Sequence, residues 1–480
     1  TMTRKEQYVH TGEGWSLIAS EDYEYDAERK LIKTTRGNGR FSTTEWMCCG
    51  PLRETDEDGV VTSYGYNSAK QLVETIRSAT ETTPETIVSY TRDADGKILS
   101  TRRDVGPMTT MESMEYDDQG RMVSSTDILG RVTRTEYSKD GLTTTVTTPS
   151  GATLVTQTYY DGTTIMEGGT GQREMETRLE LTEEGILTTT LSKGVILSRT
   201  LENGFGQTIR QEQPHTLGGF IVTRNVYNDK GKLIRSQTEN MAPTVTVYHE
   251  LGEAVKQTVL LDECHPEDPS RNRISETFSC YRVREDGVYQ VQTSTTYNVD
   301  GLPLTQTSEN MVSQLDSVVE SKSITTDVYG HQSVQWSEYT APTRRTRFSQ
   351  IPTSEVIAQS LMIDGLTVSQ TNHLDIRSSQ ERSYTSTGMI FKQTDGRGNT
   401  TITETDLAER PVKTTDAAGN VTATCYLPCC DAVACITDAM GGTICYSYDI
   451  RGRKTAEYGT AAHPVCFSYN GANQRISLTT

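Results

Sequence analysis

One short segment of this 480-residue chain indicates its fold most clearly, namely Tyr116-Asp117-Asp118-Gln119-Gly120-Arg121-Met122. An aromatic residue leads into an Asp, two variable residues and a Gly, and a basic and an apolar residue follow. The Asp side chain can accept hydrogen bonds from the turn backbone, and Gly adopts a positive φ without a steric penalty. The segment therefore predicts a tight turn that joins two short strands.

Related segments recur along the chain with a period of about 21 residues, which identifies a repeat. Near-identical copies start at Tyr227-Asn228 and Tyr448-Asp449, and a copy without the basic residue starts at Tyr297-Asn298. Shorter turn signals, such as Asp127-Ile128-Leu129-Gly130, lie between these units. The predicted structural signature of the repeat comprises Tyr25, Asp26, Tyr66, Asn67, Tyr116, Asp117, Gly120, Arg121, Tyr227, Asn228, Gly231, Lys232, Tyr297, Asn298, Gly301, Tyr448, Asp449, Gly452, Arg453, Tyr469 and Asn470.

The residues between the turns alternate in the manner of half-buried strands, as in Val291–Tyr297. One period leaves room for two strands and two turns, but not for a helix of ordinary length. The tyrosines before the turns are predicted to stack along one edge of a sheet, and the basic residue after Gly can pair with the Asp. Because one hairpin is marginally stable alone, neighbouring hairpins must stack. The fold class is therefore all-β, an array of stacked β-hairpins.

The composition limits the partners that the chain can bind. Lys and Arg number 46 against 64 Asp and Glu, so the formal net charge is −18, which disfavours nucleic acid as a partner. Hydrophobic residues make up 34% and the mean hydropathy is −0.56, so a large core is not expected. The 23 tyrosines nevertheless indicate a folded chain. Apolar runs fall far short of the ~20 residues of a membrane span, so none is predicted.

The turn signals divide the chain into three stretches. Residues 1–160 and 384–480 are predicted to be regular repeat arrays, and residues 161–383 a divergent repeat region that can hold insertions. We expect the three stretches to form one continuous architecture. The chain opens in mid-pattern and stops inside a repeat at Arg475-Ile476-Ser477, so it is expected to be part of a longer protein.

The ten cysteines include a cluster of five, namely Cys425, Cys429, Cys430, Cys435 and Cys445. The cluster lacks a clean pair of CxxC motifs and contains no His, so zinc is disfavoured. Structural or free thiols are the favoured interpretation, and disulfides are the alternative.

Other candidate sites are also explained better as structure. Glu54, Asp56, Asp58 and Gly59 are typical of the start of a calcium loop, but Gly65 stands where the loop needs a bidentate Glu, so a hairpin turn is favoured. Cys264-His265 is a close Cys/His pair in an acidic, Pro-containing stretch, and an exposed loop thiol is favoured over a catalytic dyad. No catalytic residue, cofactor or metal ligand is predicted, and the chain is not expected to be an enzyme.

The recurring Tyr-Asp-x-x-Gly-Arg segments resemble the YD repeats of bacterial RHS proteins and of the related teneurins and toxin-complex BC components. The resemblance is strong over about 1–160 and 384–480 and weak over 161–225 and 302–383. It implies a sheet that spirals into part of a hollow shell. The RHS core, with its self-cleaving aspartates, has no recognisable match in this chain.

The resemblance implies a structural role. The expected function is a shell segment that encloses or carries a polypeptide effector, a toxin, within a larger secreted bacterial protein. Its partner would be the remainder of its own chain or a polypeptide cargo. The alternative is a cell-surface adhesin that binds a glycan or a cell-surface protein through the outer sheet face.

Overall fold

The described residues form antiparallel strands that follow one another in sequence, and they contain no helix. The computed structural model describes residues 2–216, 218–249, 254–340, 343–351, 356–372, 374–470 and 473–480. These residues contain 41 strands in one sheet, so the predicted all-β fold class is confirmed.

The strands are numbered in chain order. The first are β1 (Arg4–Thr11), β2 (Gly14–Tyr25), β3 (Leu31–Arg36), β4 (Phe41–Trp46), β5 (Pro51–Thr55), β6 (Val61–Tyr66), β7 (Leu72–Arg77), β8 (Thr86–Arg92), β9 (Ile98–Val105), β10 (Met108–Tyr116), β11 (Met122–Thr126), β12 (Val132–Tyr137), β13 (Thr143–Thr147), β14 (Thr153–Thr158) and β15 (Thr164–Gly168). The middle strands are β16 (Met175–Thr182), β17 (Gly185–Ser192), β18 (Val195–Glu202), β19 (Thr208–Pro214), β20 (Phe220–Tyr227), β21 (Leu233–Thr238), β22 (Thr244–Tyr248), β23 (Ala254–Val259), β24 (Arg273–Arg284), β25 (Gly287–Tyr297), β26 (Pro303–Met311), β27 (Val319–Thr326), β28 (Gln332–Thr340), β29 (Thr343–Ile351) and β30 (Val356–Ile363). The last are β31 (Leu366–Asn372), β32 (Arg377–Thr385), β33 (Gly388–Thr394), β34 (Thr400–Thr405), β35 (Pro411–Thr415), β36 (Val421–Tyr426), β37 (Val433–Thr437), β38 (Thr443–Tyr448), β39 (Lys454–Tyr458), β40 (Val465–Tyr469) and β41 (Arg475–Thr479).

Each strand pairs with the next one in sequence, so the sheet is a long meander of hairpins. Consecutive turns therefore alternate between the two long edges of the strip. We call the edge formed by turns after even-numbered strands the tyrosine edge, because it carries most of the signature tyrosines. The edge formed by turns after odd-numbered strands is the opposite edge.

A β-bulge precedes the tyrosine in most signature hairpins, for example between Glu115 and Tyr116 and between Ser447 and Tyr448. Such a bulge follows from a hairpin loop whose last residue has a positive φ. The bulge bends the strip at regular intervals and increases its local twist. The repeat sequence thus builds curvature into the sheet.

The sheet is open and has little core. The chain exposes 28969 Å², whereas a folded monomer of this mass is expected to expose about 18,000 Å². Small buried clusters replace a single core, and one joins Tyr289, Ile324 and Val334 with Met311 and Trp336 packed against them. A thin strip of this kind matches the low apolar content of the sequence.

Several of the longest strands lie in the middle of the chain. β24 and β25 have 12 and 11 residues, whereas β11 and β13 have five. In this part several hairpins close through two residues, as at Glu285-Asp286 between β24 and β25. The described residues include no helix that is long and apolar enough to span a membrane.

Candidate functional site: repeat turns and the seam between coils

The signature turns share one hydrogen-bonded geometry. In the central copy, the Gly120 N–H donates to the Asp117 carbonyl at 2.8 Å, and the N–H groups of Gln119 and Arg121 donate to the Asp117 carboxylate. Gly120 has a φ of +78°, in the left-handed region that the turn pattern predicts for it. The Arg121 guanidinium then forms an ion pair with Asp117 at 2.7 Å. Asp and Gly therefore close the turn, and the basic residue neutralises the Asp.

The same geometry occurs in the other copies, with Asn replacing Asp at several of them. The side-chain oxygen at the Asp/Asn position accepts the turn N–H groups at Asp26, Asn67, Asn228, Asn298, Asp449 and Asn470. The glycines Gly231, Gly301 and Gly452 have φ values of +76°, +77° and +75°. Arg453 pairs with Asp449 at 2.7 Å. Lys232 contributes its backbone N–H to the Asn228 turn.

The signature tyrosines tie each hairpin to the preceding one. Their hydroxyl groups donate to backbone carbonyls of earlier strands or of the N-terminal segment, and the donors of this kind are Tyr25, Tyr66, Tyr116, Tyr227, Tyr448 and Tyr469. Tyr297 is different, because it lies on the opposite edge and its hydroxyl donates to the Glu276 carboxylate. The sequence motif thus marks the turn without fixing the edge on which it lies.

The turn arginines extend this coupling to the following repeat. The guanidinium carbon of Arg121 lies 4.3 Å from the centre of the Tyr137 ring, and that of Arg453 lies 4.7 Å from the centre of the Tyr469 ring. Cation–π contacts of this kind contribute roughly 0.5–1 kcal/mol at exposed sites. An Asp, an Arg and the next Tyr therefore form a chain of contacts along the tyrosine edge.

Several repeats form the same turn with another residue at the glycine position, so glycine is not required there. Arg29, Lys70, Glu409 and Asn473 occupy the glycine position with φ values between +63° and +66°. A left-handed conformation costs a residue with a Cβ about 1–2 kcal/mol, so the other turn contacts must offset this cost. The Asp or Asn three residues earlier is the part of the motif that these turns keep.

We expect Gly120→Val to destabilise its hairpin by more than ~1 kcal/mol, because the side chain would be forced into the left-handed region. Hydrogen exchange should show faster exchange in β10 and β11 and little change in distant strands, since each repeat contacts mainly its neighbours. Gly204→Val is the matched control, because Gly204 lies in a turn of the same edge without a positive φ and with open space around it. Loss of protection from end to end would contradict the array, and no loss would contradict the turn assignment.

The strip folds back on itself at a second group of contacts, which we call the seam. Here turns of the opposite edge, from Arg40 to Thr170, lie against turns of the tyrosine edge, from Glu320 to Arg451. The hydrogen bonds that cross it join residues separated by 280 to 300 positions, as in Arg40–Glu320 and Arg131–Asp431. Because this offset stays nearly constant, successive coils of the strip run side by side. One coil therefore contains roughly the same number of residues throughout.

The seam has a polar cluster around Tyr339. The Arg40 guanidinium forms an ion pair with Glu320 at 3.0 Å and stacks over the Tyr339 ring, 3.6 Å from its centre. The Tyr339 hydroxyl donates to the Glu57 carbonyl and to the Asp58 carboxylate. Burial and the hydrogen bond to Asp58 raise the pKa of Tyr339. This tyrosine therefore stays neutral and acts as a donor.

The acids of the candidate calcium loop serve other purposes. Asp56 accepts the N–H groups of Asp58 and Val60, which closes the hairpin turn favoured from the sequence. Asp58 contacts Tyr339 across the seam, and Glu54 accepts a hydrogen bond from Tyr64 at 2.6 Å. Across the described ranges, no group of three or more His, Cys, Asp or Glu side chains is placed to hold a metal ion.

A second polar contact of the seam lies at the turn between β30 and β31. Asp364 accepts hydrogen bonds from Arg77 at 2.8 Å and from the Thr80 hydroxyl at 2.8 Å. Burial opposes ionisation of this carboxyl, but the bonds from Arg77, Thr80 and Thr83 outweigh it and hold its pKa below the ordinary value. The charged form of Asp364 therefore stabilises the seam.

This lowered pKa predicts that acid weakens the seam. A carboxyl with a depressed folded-state pKa contributes stability above its unfolded value, near pH 4, and that stability is lost as the pH falls through the folded value. Urea unfolding between pH 6 and pH 2 should show a smaller loss of stability for Asp364→Asn than for the wild type. Asn tolerates the positive φ of 47° at this position. Asp118→Asn, at an exposed turn outside the seam, is the control, and an equal pH slope for all three proteins would contradict the prediction.

The seam also has an apolar cluster. Val105 and Met108, on β9 and β10, pack against Met389 on β33, and all three are at most 4% exposed. Tyr384, Phe391 and Leu407 cover the cluster from the later coil. The burial of these side chains supplies the hydrophobic stabilisation that polar contacts at a surface lack. The apolar and polar clusters together hold adjacent coils in register.

The cysteine cluster contains one disulfide, which joins Cys435 and Cys445. The sequence favoured thiols, and the structure corrects this for one pair because the two residues are directly opposite each other on neighbouring strands. The other eight cysteines are free thiols.

The Cys264-His265 pair, the candidate dyad of the sequence, lies in a loop beside Asp262. The Nδ1 atom of His265 lies 3.0 Å from the Asp262 carboxylate. Hydrogen bonds from Arg271 and His265 lower the pKa of Asp262 to about 2, so the imidazole belongs to a loop ion cluster.

The fold and the seam define a class of protein, an all-β strip of hairpin repeats whose coils stack side by side. Residues 116–153 match the family model described as RHS repeat. This match confirms the resemblance to RHS repeats seen in the sequence.

One solved structure has a similar fold. The crystal structure of TcdB2-TccC3-TEV is similar with a TM-score of 0.51 and 10% sequence identity, over 99% of this chain and 33% of that chain. The Photorhabdus luminescens Tc holotoxin pore is similar with a TM-score of 0.48 and 10% identity, again over 99% and 33%. This chain therefore spans about a third of the length of these structures. No curated protein sequence matches the chain.

Proposed function

We propose that this chain is a segment of the wall of an RHS-type shell that encloses a polypeptide effector. The observation that carries the proposal is the seam, which joins residues at a nearly constant separation and converts a flat strip into coils. A wall of this kind needs stiffness along the strip and closure between coils. The Asp–Arg–Tyr contacts of the tyrosine edge supply the first, and the seam supplies the second.

The surface chemistry supports a wall as well. The sheet exposes both faces, and its net charge of −18 favours solubility and disfavours binding to anionic surfaces. We assign no reaction to the chain, and its repeat signature residues have structural roles. The stretches 1–160, 161–383 and 384–480 are proposed to act as one continuous wall. Its cargo would be a polypeptide, and the assembly would be secreted.

The test is protease protection in the protein of natural length, purified from its source. A polypeptide that lies inside the wall should resist trypsin in the wild type, and Val105→Asp, which places a charge in the apolar cluster of the seam, should remove that resistance. Met111→Asp on the same strand is the control, because Met111 is 56% exposed. Equal digestion of the polypeptide in all three proteins would contradict enclosure. Specific binding of the chain to a glycan or a cell-surface protein, without a protected polypeptide, would favour the adhesin alternative instead.

A further inference from the structure

Three cysteines stand in one row across three consecutive strands. Cys425 on β36 is directly opposite Cys435 on β37, and Cys435 is directly opposite Cys445 on β38. Directly opposed residues of antiparallel strands project from the same face of the sheet. The three side chains therefore form a ladder perpendicular to the strands, with Cys435 in the middle.

The ladder holds one disulfide and one thiol. Cys435 and Cys445 are bonded, and Cys425 is free and exposed. The Cα atoms of the bonded pair are 4.1 Å apart, which matches the narrow, non-hydrogen-bonded type of antiparallel pair. In an antiparallel sheet, a residue that forms the narrow pair with one neighbouring strand forms the wide, hydrogen-bonded pair with the other. Cys435 therefore forms the wide pair with Cys425, in which the Cα atoms are about 5.5 Å apart. Disulfides form readily at that separation as well.

We propose that Cys425, Cys435 and Cys445 constitute a thiol–disulfide exchange site, in which one disulfide moves between two positions. The Cys425 thiolate attacks the Cys435 sulfur, the Cys425–Cys435 bond forms, and the Cys435–Cys445 bond breaks. Cys445 leaves as a thiolate and takes up a proton equivalent to the one that Cys425 released. The exchange needs no oxidant or reductant.

The row provides the geometry that such an exchange requires. Exchange proceeds by attack of a thiolate on one sulfur of a disulfide, with the other sulfur as the leaving group. Here the attacking and leaving cysteines flank Cys435 on opposite sides, on strands whose backbone hydrogen bonds fix their separation. Cys425 is exposed, so its sulfur is accessible to solvent.

The two positions differ in what they constrain. A Cys435–Cys445 bond links β37 to β38, whereas a Cys425–Cys435 bond closes the hairpin of β36 and β37. The turn of that hairpin carries Asp431, which pairs across the seam with Arg131 at 2.9 Å and on its own coil with Arg410 at 3.0 Å. The exchange would therefore move the disulfide from the β37–β38 pair to the β36–β37 hairpin, whose turn contacts the neighbouring coil through Asp431.

Peptide mapping tests the proposal, because cleavage before Asp416, Asp431, Asp438 and Asp449 places the three cysteines on three separate peptides. The wild-type chain is equilibrated at pH 8 without reductant, quenched in acid, alkylated and digested with a protease that cuts before Asp. We expect two linked products, peptide 431–437 joined to 438–448 and peptide 431–437 joined to 416–430. Tandem mass spectrometry should assign the second link to Cys425, since Cys429 and Cys430 share its peptide.

Single variants separate the two positions. Cys425→Ser should lose the 416–430 product and keep the other. Cys445→Ser, oxidised with glutathione disulfide, should form only the Cys425–Cys435 link. A wild type that contains only the Cys435–Cys445 link after equilibration, with Cys425 fully alkylated, would overturn the proposal. So would a 416–430 product that persists in Cys425→Ser.

Discussion

Val105→Asp should open the seam between the coils and lower the free energy of unfolding by several kcal/mol. Val105 is fully buried, and its neighbours Met108 and Met389 offer no charged partner to a carboxylate. Placing an unpaired charge in such a site is among the most destabilising single changes. The meander itself should persist, because the strand ladder on either side of Val105 is made by backbone hydrogen bonds.

Two measurements check this expectation. Hydrogen exchange should lose protection both near Val105 and in β33, on the later coil, and small-angle scattering should report a larger radius of gyration. The control Met111→Asp, at an exposed position of β10, should change neither quantity. Loss of protection confined to β9 and β10 would mean that the cluster does not hold the coils together.

The repeat turns could be predicted from the sequence because their chemistry is local. Asp117, Gly120 and Arg121 lie within five residues, and the hydrogen bonds that close the turn involve only that segment. The fold class followed, since a strip of such hairpins has no room for helices. The glycine of the motif is variable, because another residue type can adopt the left-handed conformation, as Glu409 does in the turn that starts at Asp406.

The seam could not be predicted in the same way. Its contacts join residues some 280 to 300 positions apart, so the local sequence around Arg40, Tyr339 or Val105 does not specify the distant partner. Which edge a turn occupies depends on the number of strands that precede it, and Tyr297 shows that a good copy of the motif can lie on the opposite edge. The nearly constant sequence separation between residues that meet across the seam is a property of the whole strip. Every bulge and every strand length contributes to the curvature that sets this separation.

The cysteine ladder did leave a signal in the sequence. Cys425, Cys435 and Cys445 are spaced by ten residues, which is the length of one strand and one turn in the regular arrays. A residue type that recurs at this half-period returns to the same row of the sheet on the next strand. The ten-residue spacing therefore reflects the half-period of the repeat and not a metal-binding motif.

Arg40→Ala should be the most damaging change among the polar contacts of the seam. Arg40 is nearly buried, with its side chain 9% exposed, and its Nε and Nη2 atoms have no hydrogen-bond partner in the described part of the chain because they lie over the Tyr339 ring. Removal of the guanidinium eliminates the stacking contact and one of the cations that neutralise Glu320. Breaking a buried pair typically costs about 3–5 kcal/mol. We expect the lower end of that range, since Glu320 is partly exposed and keeps Arg344 at 3.1 Å.

Urea unfolding of two further variants separates charge from stacking. Arg40→Lys keeps the positive charge but cannot lie flat over the tyrosine, so its stability should fall between that of the wild type and that of Arg40→Ala. Arg178→Ala removes an arginine of an exposed pair with Glu176 and should change the stability by less than about 1 kcal/mol. If Arg40→Ala were as mild as Arg178→Ala, the polar cluster at Tyr339 would not be what holds this part of the seam. Closure between the coils would then rest on the apolar cluster around Val105 and on the Arg77–Asp364 and Arg131–Asp431 pairs.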